Sequence, residues 1–228
     1  MRYAGRVSAR SYRQYCGLAR ALDVLGERWT LLVVRELALG PKRFRDLLDH
    51  LPGIGTNLLA ARLKTLEGEG VIRRTTLPPP AGVHVYELTE RGRGLEPALA
   101  GLAMWGFDLL SGDPAGSAIR ASWAALSMRA VMEATGPHDV RGSFAFEVDG
   151  ERFSVESGDG GVRVTDGPPP GRADVTARTD VPTFVALASG ELTPARAVRE
   201  KRLRVEGDRR LLDRLLAVFR LPARAAAA

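Results

Sequence analysis

The chain has 228 residues, enough for two ordinary domains with separate cores. Its 33 Lys and Arg exceed its 27 Asp and Glu, and the excess lies at the front: residues 1–64 hold 12 basic and 5 acidic side chains, residues 111–228 hold 17 and 16. One cysteine excludes an intrachain disulfide, no apolar run reaches the roughly 20 residues of a membrane helix, and residues 1–15 lack an apolar signal core, so a cytoplasmic protein with no membrane partner is expected.

Leu18, Leu22 and Leu25 make one apolar stripe and predict a first helix ending near Gly26. Trp29, Leu32, Val33 and Leu37 predict a second, ending near Gly40-Pro41. Phe44, Leu47, Leu48 and Leu51 predict a short third helix, and Pro52-Gly53-Ile54-Gly55 a turn. Thr56 is the expected N-cap of a fourth helix running to about Glu69. Strands follow at Val71–Thr75 and Val83–Leu88, joined by the Pro-rich loop 76–82. This order is a helix-turn-helix followed by a β-hairpin, the layout that offers one exposed helix to the major groove.

The fourth helix carries the chemistry of this half. Leu59, Leu63 and Leu66 lie at i, i+4 and i+7 and are expected to face the core. Asn57, Ala60, Ala61 and Lys64 then lie on the other side, flanked by Arg62 and Thr65. Small residues let a helix backbone approach base edges, Asn pairs bidentately with adenine, and Arg and Lys hold phosphate or guanine. An ordinary amphipathic surface helix has the same pattern, and its setting between a short helix, a turn and a hairpin separates the two readings. The candidate DNA contacts are therefore Arg43, Arg45, Thr56, Asn57, Ala60, Ala61, Arg62, Lys64 and Thr65, with Arg74 and His84 on the hairpin. Thr89 is expected to cap one further long helix, whose stripe Leu95, Leu99, Leu102, Trp105 and Leu109 is a candidate dimerisation surface.

Cys16, GERWTLLVVREL at 26–37, FRDL at 44–47, the LxxRLKxLExEGVIRR pattern ending at Arg74 and YELTERG at 86–92 resemble the HxlR family of bacterial winged-helix transcription regulators. The resemblance covers about residues 13–110 and implies a homodimer on a two-fold operator in double-stranded DNA. One departure is Val83-His84-Val85, where the family usually carries an arginine, so a minor-groove contact by the wing is not implied. Some members sense oxidants through a cysteine near Cys16. Arg13 and Arg20 lie close enough in sequence to favour its thiolate, although a half-buried structural cysteine reads the same way.

SGDPAG at 111–116 reads as a linker, and a helix from about Ser117 to Ala134 carries two stripes, Ile119/Trp123/Leu126 and Met128/Val131/Met132. Phe144, Phe146 and Val148 alternate, Asp149-Gly150 is a hairpin turn, and Phe153/Val155, Val162/Val164 and Ala173/Val175/Ala177 continue the strands. Asp180 is expected to cap a helix with Phe184, Val185 and Leu187; Thr193-Pro194 starts another. Leu203 and Val205 make a last strand, and Asp208 caps a helix with Leu211, Leu212, Leu215, Leu216 and Phe219. The expected class is α+β: a winged helix-turn-helix at 1–110, the linker, a mostly antiparallel sheet covered by helices at 117–220, and a tail at 221–228.

The ADVT, GELTPARAV and LRVEGD succession from Ala173 onward resembles sterol carrier protein type 2-like domains. That resemblance implies an apolar tunnel for a hydrophobic molecule. Trp123, Leu126, Met128, Met132, Phe144, Phe146, Phe153, Phe184 and Leu187 are the candidate lining, although residues of these types at these spacings also build a plain core. His50, His84 and His138 are far apart and no CxxC exists, so no metal is expected. No nucleophile elbow or phosphate loop is present; neither an enzyme nor a cofactor is expected. The reading is a regulator, expected to repress, that binds DNA and a hydrophobic small-molecule effector. Its rivals are a redox regulator acting through Cys16 with a structural C-terminal half, and a lipid or acyl carrier with a degenerate DNA-binding half.

Overall fold

A computed structural model of the protein describes residues 11–107, 109, 118–134, 139–159 and 161–218. The expected linker 111–116, the tail 221–228, Phe219 and the side chain of Met128 lie outside that description. The backbone divides into two compact units, Met1–Leu99 and Ala100–Ala228.

In the first unit, α1 (Gly17–Leu25), α2 (Thr30–Ala38), α3 (Phe44–His50) and α4 (Thr56–Gly68) precede β1 (Ile72–Thr76), β2 (His84–Leu88) and the single turn α5 (Glu90–Arg93). Leu59, Leu63 and Leu66 of α4 meet Val33, Val34 and Leu37 of α2 and Leu47 of α3 in one buried cluster, closed by Ile72 and Leu88. The i, i+4, i+7 spacing puts three leucines on one stripe, and burying each stabilises the unit by about 1.5–3 kcal/mol. β1 and β2 pair antiparallel from Ile72↔Leu88 to Thr76↔His84. Lys42 adds a bridge to Tyr86, with N–H···O distances of 3.0 and 2.8 Å, and ties the start of α3 to the hairpin.

Several local expectations differ from the fold. Thr56 is not the N-cap of α4; Gly55 is, and the helix begins one residue earlier because Leu59 N–H already bonds Gly55 O at 2.9 Å. The helix expected from Thr89 is two. Thr89 caps α5 by accepting from Gly92 N–H at 3.1 Å, the chain turns at Gly94, and α6 (Glu96–Phe107) starts anew. Gly92 is required there, since a Cβ would lie 2.1 Å from the Val71 carbonyl. The stripe of α1 is mostly not core: Leu25 is buried, whereas Leu18 is 69% exposed.

The second unit holds α7 (Ala121–Ala134), β3 (Gly142–Val148), β4 (Glu151–Gly158), β5 (Gly161–Asp166), β6 (Val175–Thr179), α8 (Val181–Ala188), α9 (Pro194–Arg199), β7 (Leu203–Gly207) and α10 (Arg209–Val218). Its sheet has the order β5-β4-β3-β6-β7. Every neighbouring pair is antiparallel except β3 and β6, which run parallel with Phe144 beside Val175. Asp149 and Gly150, with φ of 48° and 84°, make the tight turn between β3 and β4. Asp180 and Thr193 cap α8 and α9 as their spacing predicts. Among the described residues no helix is long and apolar enough to cross a membrane.

Candidate nucleic-acid interface

α4 turns its leucines inward, and this leaves Asn57, Ala60, Ala61 and Lys64 exposed one turn apart on the opposite side, with Thr56 and Thr65 beside them. That face is small at its start and cationic at its end. Arg43, the N-cap of α3, and Arg45 within it are exposed; the backbone N–H of Arg43 donates to the Asp46 carboxylate at 2.9 Å, and the Arg45 side chain lies 3.5 Å from Asp49. On the hairpin, Arg74 and His84 share one face through the register Arg74↔Tyr86 and Thr76↔His84. The His84 ring meets the Thr76 hydroxyl at 3.0 Å. Arg73 is on the other face, 2.7 Å from Glu87.

Arg62 departs from the expected pattern. Its side chain is only 17% exposed and is turned onto its own unit, where it donates to Glu27 and to the Arg28 carbonyl, both at 3.0 Å. This cation, on the flank of the exposed face, thus ties α4 to the corner between α1 and α2. Glu27 has no sequence signal for this role, being 35 residues away. Glu36 was also missed. It is fully buried, accepts from Arg35 at 2.8 and 3.1 Å, and lies 3.1 Å from the His50 ring, so it ties α2 to α3. The available signal was an acidic residue within the apolar stripe of α2.

Cys16 is exposed at the start of α1, where the backbone N–H groups of Ala19 and then Leu18 lower its thiol pKa below the ordinary value. The stripe expected to meet a second copy divides in two. Leu95 and Leu99 pack against the core of the first unit, because the turn at Gly94 brings them under it. Leu102, Trp105 and Leu109 remain 53%, 71% and 64% exposed.

The residues expected to line a tunnel are mostly buried, three of them ring against ring. Phe146 stacks on Phe153 at 4.9 Å between ring centres, and Phe184 meets both edge-on at 5.8 and 5.6 Å. Rings at these distances leave no room for a ligand between them. Phe144, Met132 and Leu187 are buried alongside, while Trp123 and Leu126 are half-buried. Away from the rings, Arg120 pairs with Glu151 at 3.3 Å at the start of α7, and burial raises the Glu151 pKa.

Two family models match this chain: the HxlR-like helix-turn-helix over residues 24–113 and the SCP-2 sterol transfer family over residues 137–220. An uncharacterized HTH-type transcriptional regulator of Synechocystis sp. is 40% identical over 95 residues, 42% of this chain and 70% of that protein. The HTH-type transcriptional regulator YodB of Bacillus subtilis is 36% identical over 85 residues, 37% of this chain and 76% of that protein. The solved reduced form of YodB overlies 44% of this chain and all of its own, at 33% identity and a TM-score of 0.38.

Proposed function

Because the chain belongs to the HxlR-like helix-turn-helix family of transcription regulators, we propose that it is a homodimeric DNA-binding repressor controlled by a hydrophobic small molecule. Residues 1–110 bind a two-fold operator and residues 117–220 take the effector; the reading includes no catalytic step. The observation that carries it is the face of Asn57, Ala60, Ala61 and Lys64, exposed opposite three buried leucines in a strongly basic segment. In a dimer the two copies of α4 would meet successive major grooves, about 34 Å apart. The exposed Leu102, Trp105 and Leu109 support a surface that a second copy covers.

The effector reading rests on the SCP-2 match. Phe146, Phe153 and Phe184 pack ring against ring, so an apolar ligand that enters between them parts them. Binding that favours one arrangement of the rings over another is the requirement for coupling to DNA. The test is a native mass spectrum of the purified full chain, followed by selection of its DNA site from a random pool. A dimer carrying an apolar molecule, whose removal changes the affinity for the selected DNA, is the expected result. A dimer that carries no such molecule and ignores added fatty acids and sterols reduces the second unit to a packing module.

A redox reading is favoured by one observation, the exposed Cys16 with its lowered pKa. In that case an oxidant such as diamide releases the wild-type protein from DNA and not Cys16→Ser. Equal behaviour of the two proteins removes it.

A further inference from the structure

The exposed face of α4 holds few groups that can read a base. Ala60 and Ala61 leave the helix backbone nearly bare between the two longer side chains, Asn57 and Lys64. The Asn57 amide has no hydrogen-bond partner among the described residues. Arg62, the one arginine of α4, gives its guanidinium to Glu27 and the Arg28 carbonyl, both at 3.0 Å. The Thr65 hydroxyl donates to the Ala61 carbonyl at 3.1 Å, so only its lone pairs are left for a base. Lys64 and Glu67 are exposed about 10 and 15 Å along the helix axis from Asn57. They lie beyond the N-terminal residues with which a recognition helix touches base edges.

We propose that α4 selects half-sites that hold an adenine and, within two base pairs of it, a thymine; this rests on the DNA-binding reading and narrows it to a class of sequence. The Asn57 amide meets the adenine edge. Its oxygen accepts from N6–H and its nitrogen donates to N7, a donor beside an acceptor that only adenine presents in the major groove. Guanine presents two acceptors, O6 and N7, and would set one of them against the amide oxygen. The methyls of Ala60 and Ala61 follow three and four residues later, about 5–6 Å along the axis. A base-pair rise of about 3.4 Å brings them to a pair one or two steps away. An alanine methyl gains only from apolar contact, and the thymine methyl is the apolar group of the major groove. The clasp on Arg62 removes the rival. A free arginine pairs bidentately with guanine, the commonest specific contact, whereas this one is 17% exposed and turned onto Glu27. Sequence is then read by Asn57 and two methyls, and Lys64 holds phosphate without reading sequence.

The test uses the full chain and duplexes enriched from a random pool, titrated by fluorescence anisotropy with one base altered in one half-site. 7-Deazaadenine removes the N7 acceptor, and deoxyuridine in place of thymidine removes the methyl; neither touches the protein. At the required adenine, 7-deazaadenine is expected to weaken wild-type binding by about fivefold or more, the low end for a bidentate base contact. It is expected to leave Asn57→Ala, with an unchanged melting temperature, unaffected. Deoxyuridine at the thymine is expected to weaken binding about fourfold, as for one buried methyl group. Enriched half-sites whose required pairs are all G·C overturn the inference, and so does a 7-deazaadenine effect of equal size in wild type and Asn57→Ala. Equal affinity for thymidine and deoxyuridine overturns the methyl contact. Those outcomes leave DNA binding itself standing. A protein that enriches no sequence and binds no duplex refutes the DNA-binding reading, and the inference with it.

Discussion

Lys64→Ala and Arg62→Ala are expected to separate two roles on neighbouring positions of α4. Lys64 is exposed on the face shared by Asn57, Ala60 and Ala61, whereas Arg62 is held by Glu27 and the Arg28 carbonyl. Each phosphate neutralised by a protein cation steepens the dependence of log affinity on log salt by about 0.9. A dimer loses two such contacts in Lys64→Ala, so its slope becomes shallower by about 1.8; between 50 and 200 mM salt that difference amounts to about twelvefold. Arg62→Ala removes no phosphate contact of this kind. It loses a partly exposed ion pair worth less than about 1 kcal/mol of stability, and weakens binding through a less firmly held helix with the salt slope unchanged. The assay is fluorescence anisotropy on the selected DNA over a salt series. A Lys64→Ala slope equal to that of the wild type, or an Arg62→Ala slope as shallow as that of Lys64→Ala, refutes the division.

Phe184→Ala leaves a hole beside Phe146 and Phe153 and is expected to cost about 3–5 kcal/mol, a large share of the roughly 5–15 kcal/mol of an ordinary domain. Hydrogen exchange should show lost protection in β3, β4 and β6 with α4 unaffected; a cost below about 1 kcal/mol contradicts the packed cluster. Asp180→Ala should cost about 1 kcal/mol as a lost helix cap. The Thr183 hydroxyl, and then its N–H, hold the Asp180 pKa below the usual value, so the cap stabilises above the ordinary carboxylate range and fades as pH falls through the lowered pKa. The gap between wild type and variant should therefore close in acid, and a gap that stays constant with pH argues against the cap. Trp105→Glu, on an exposed apolar stripe, should give a monomer in sedimentation velocity, and an unaltered dimer places the interface elsewhere.

Short-range pattern was enough for much of this protein. The spacing of Leu59, Leu63 and Leu66 determines which side of α4 is buried and, by subtraction, that Asn57, Ala60, Ala61 and Lys64 are exposed. The alternation of Phe144, Phe146 and Val148 likewise sets the covered face of β3, and Asp149-Gly150 its turn. Periodicity states which face is hidden and not what hides it, so tertiary structure decided the rest. Only the fold brings Glu27 to Arg62 across 35 positions and so turns onto its own unit a cation that the helix pattern alone left flanking the exposed face. Only the turn at Gly94 sends Leu95 and Leu99 to the core while Trp105 remains exposed, although one stripe contains all three. The aromatic residues of the second unit illustrate the limit most plainly. A tunnel wall and a filled core require the same residue types at the same spacings, and the 4.9–5.8 Å between the rings is set by how β3, β4 and α8 meet, a distance that no local run of residues encodes.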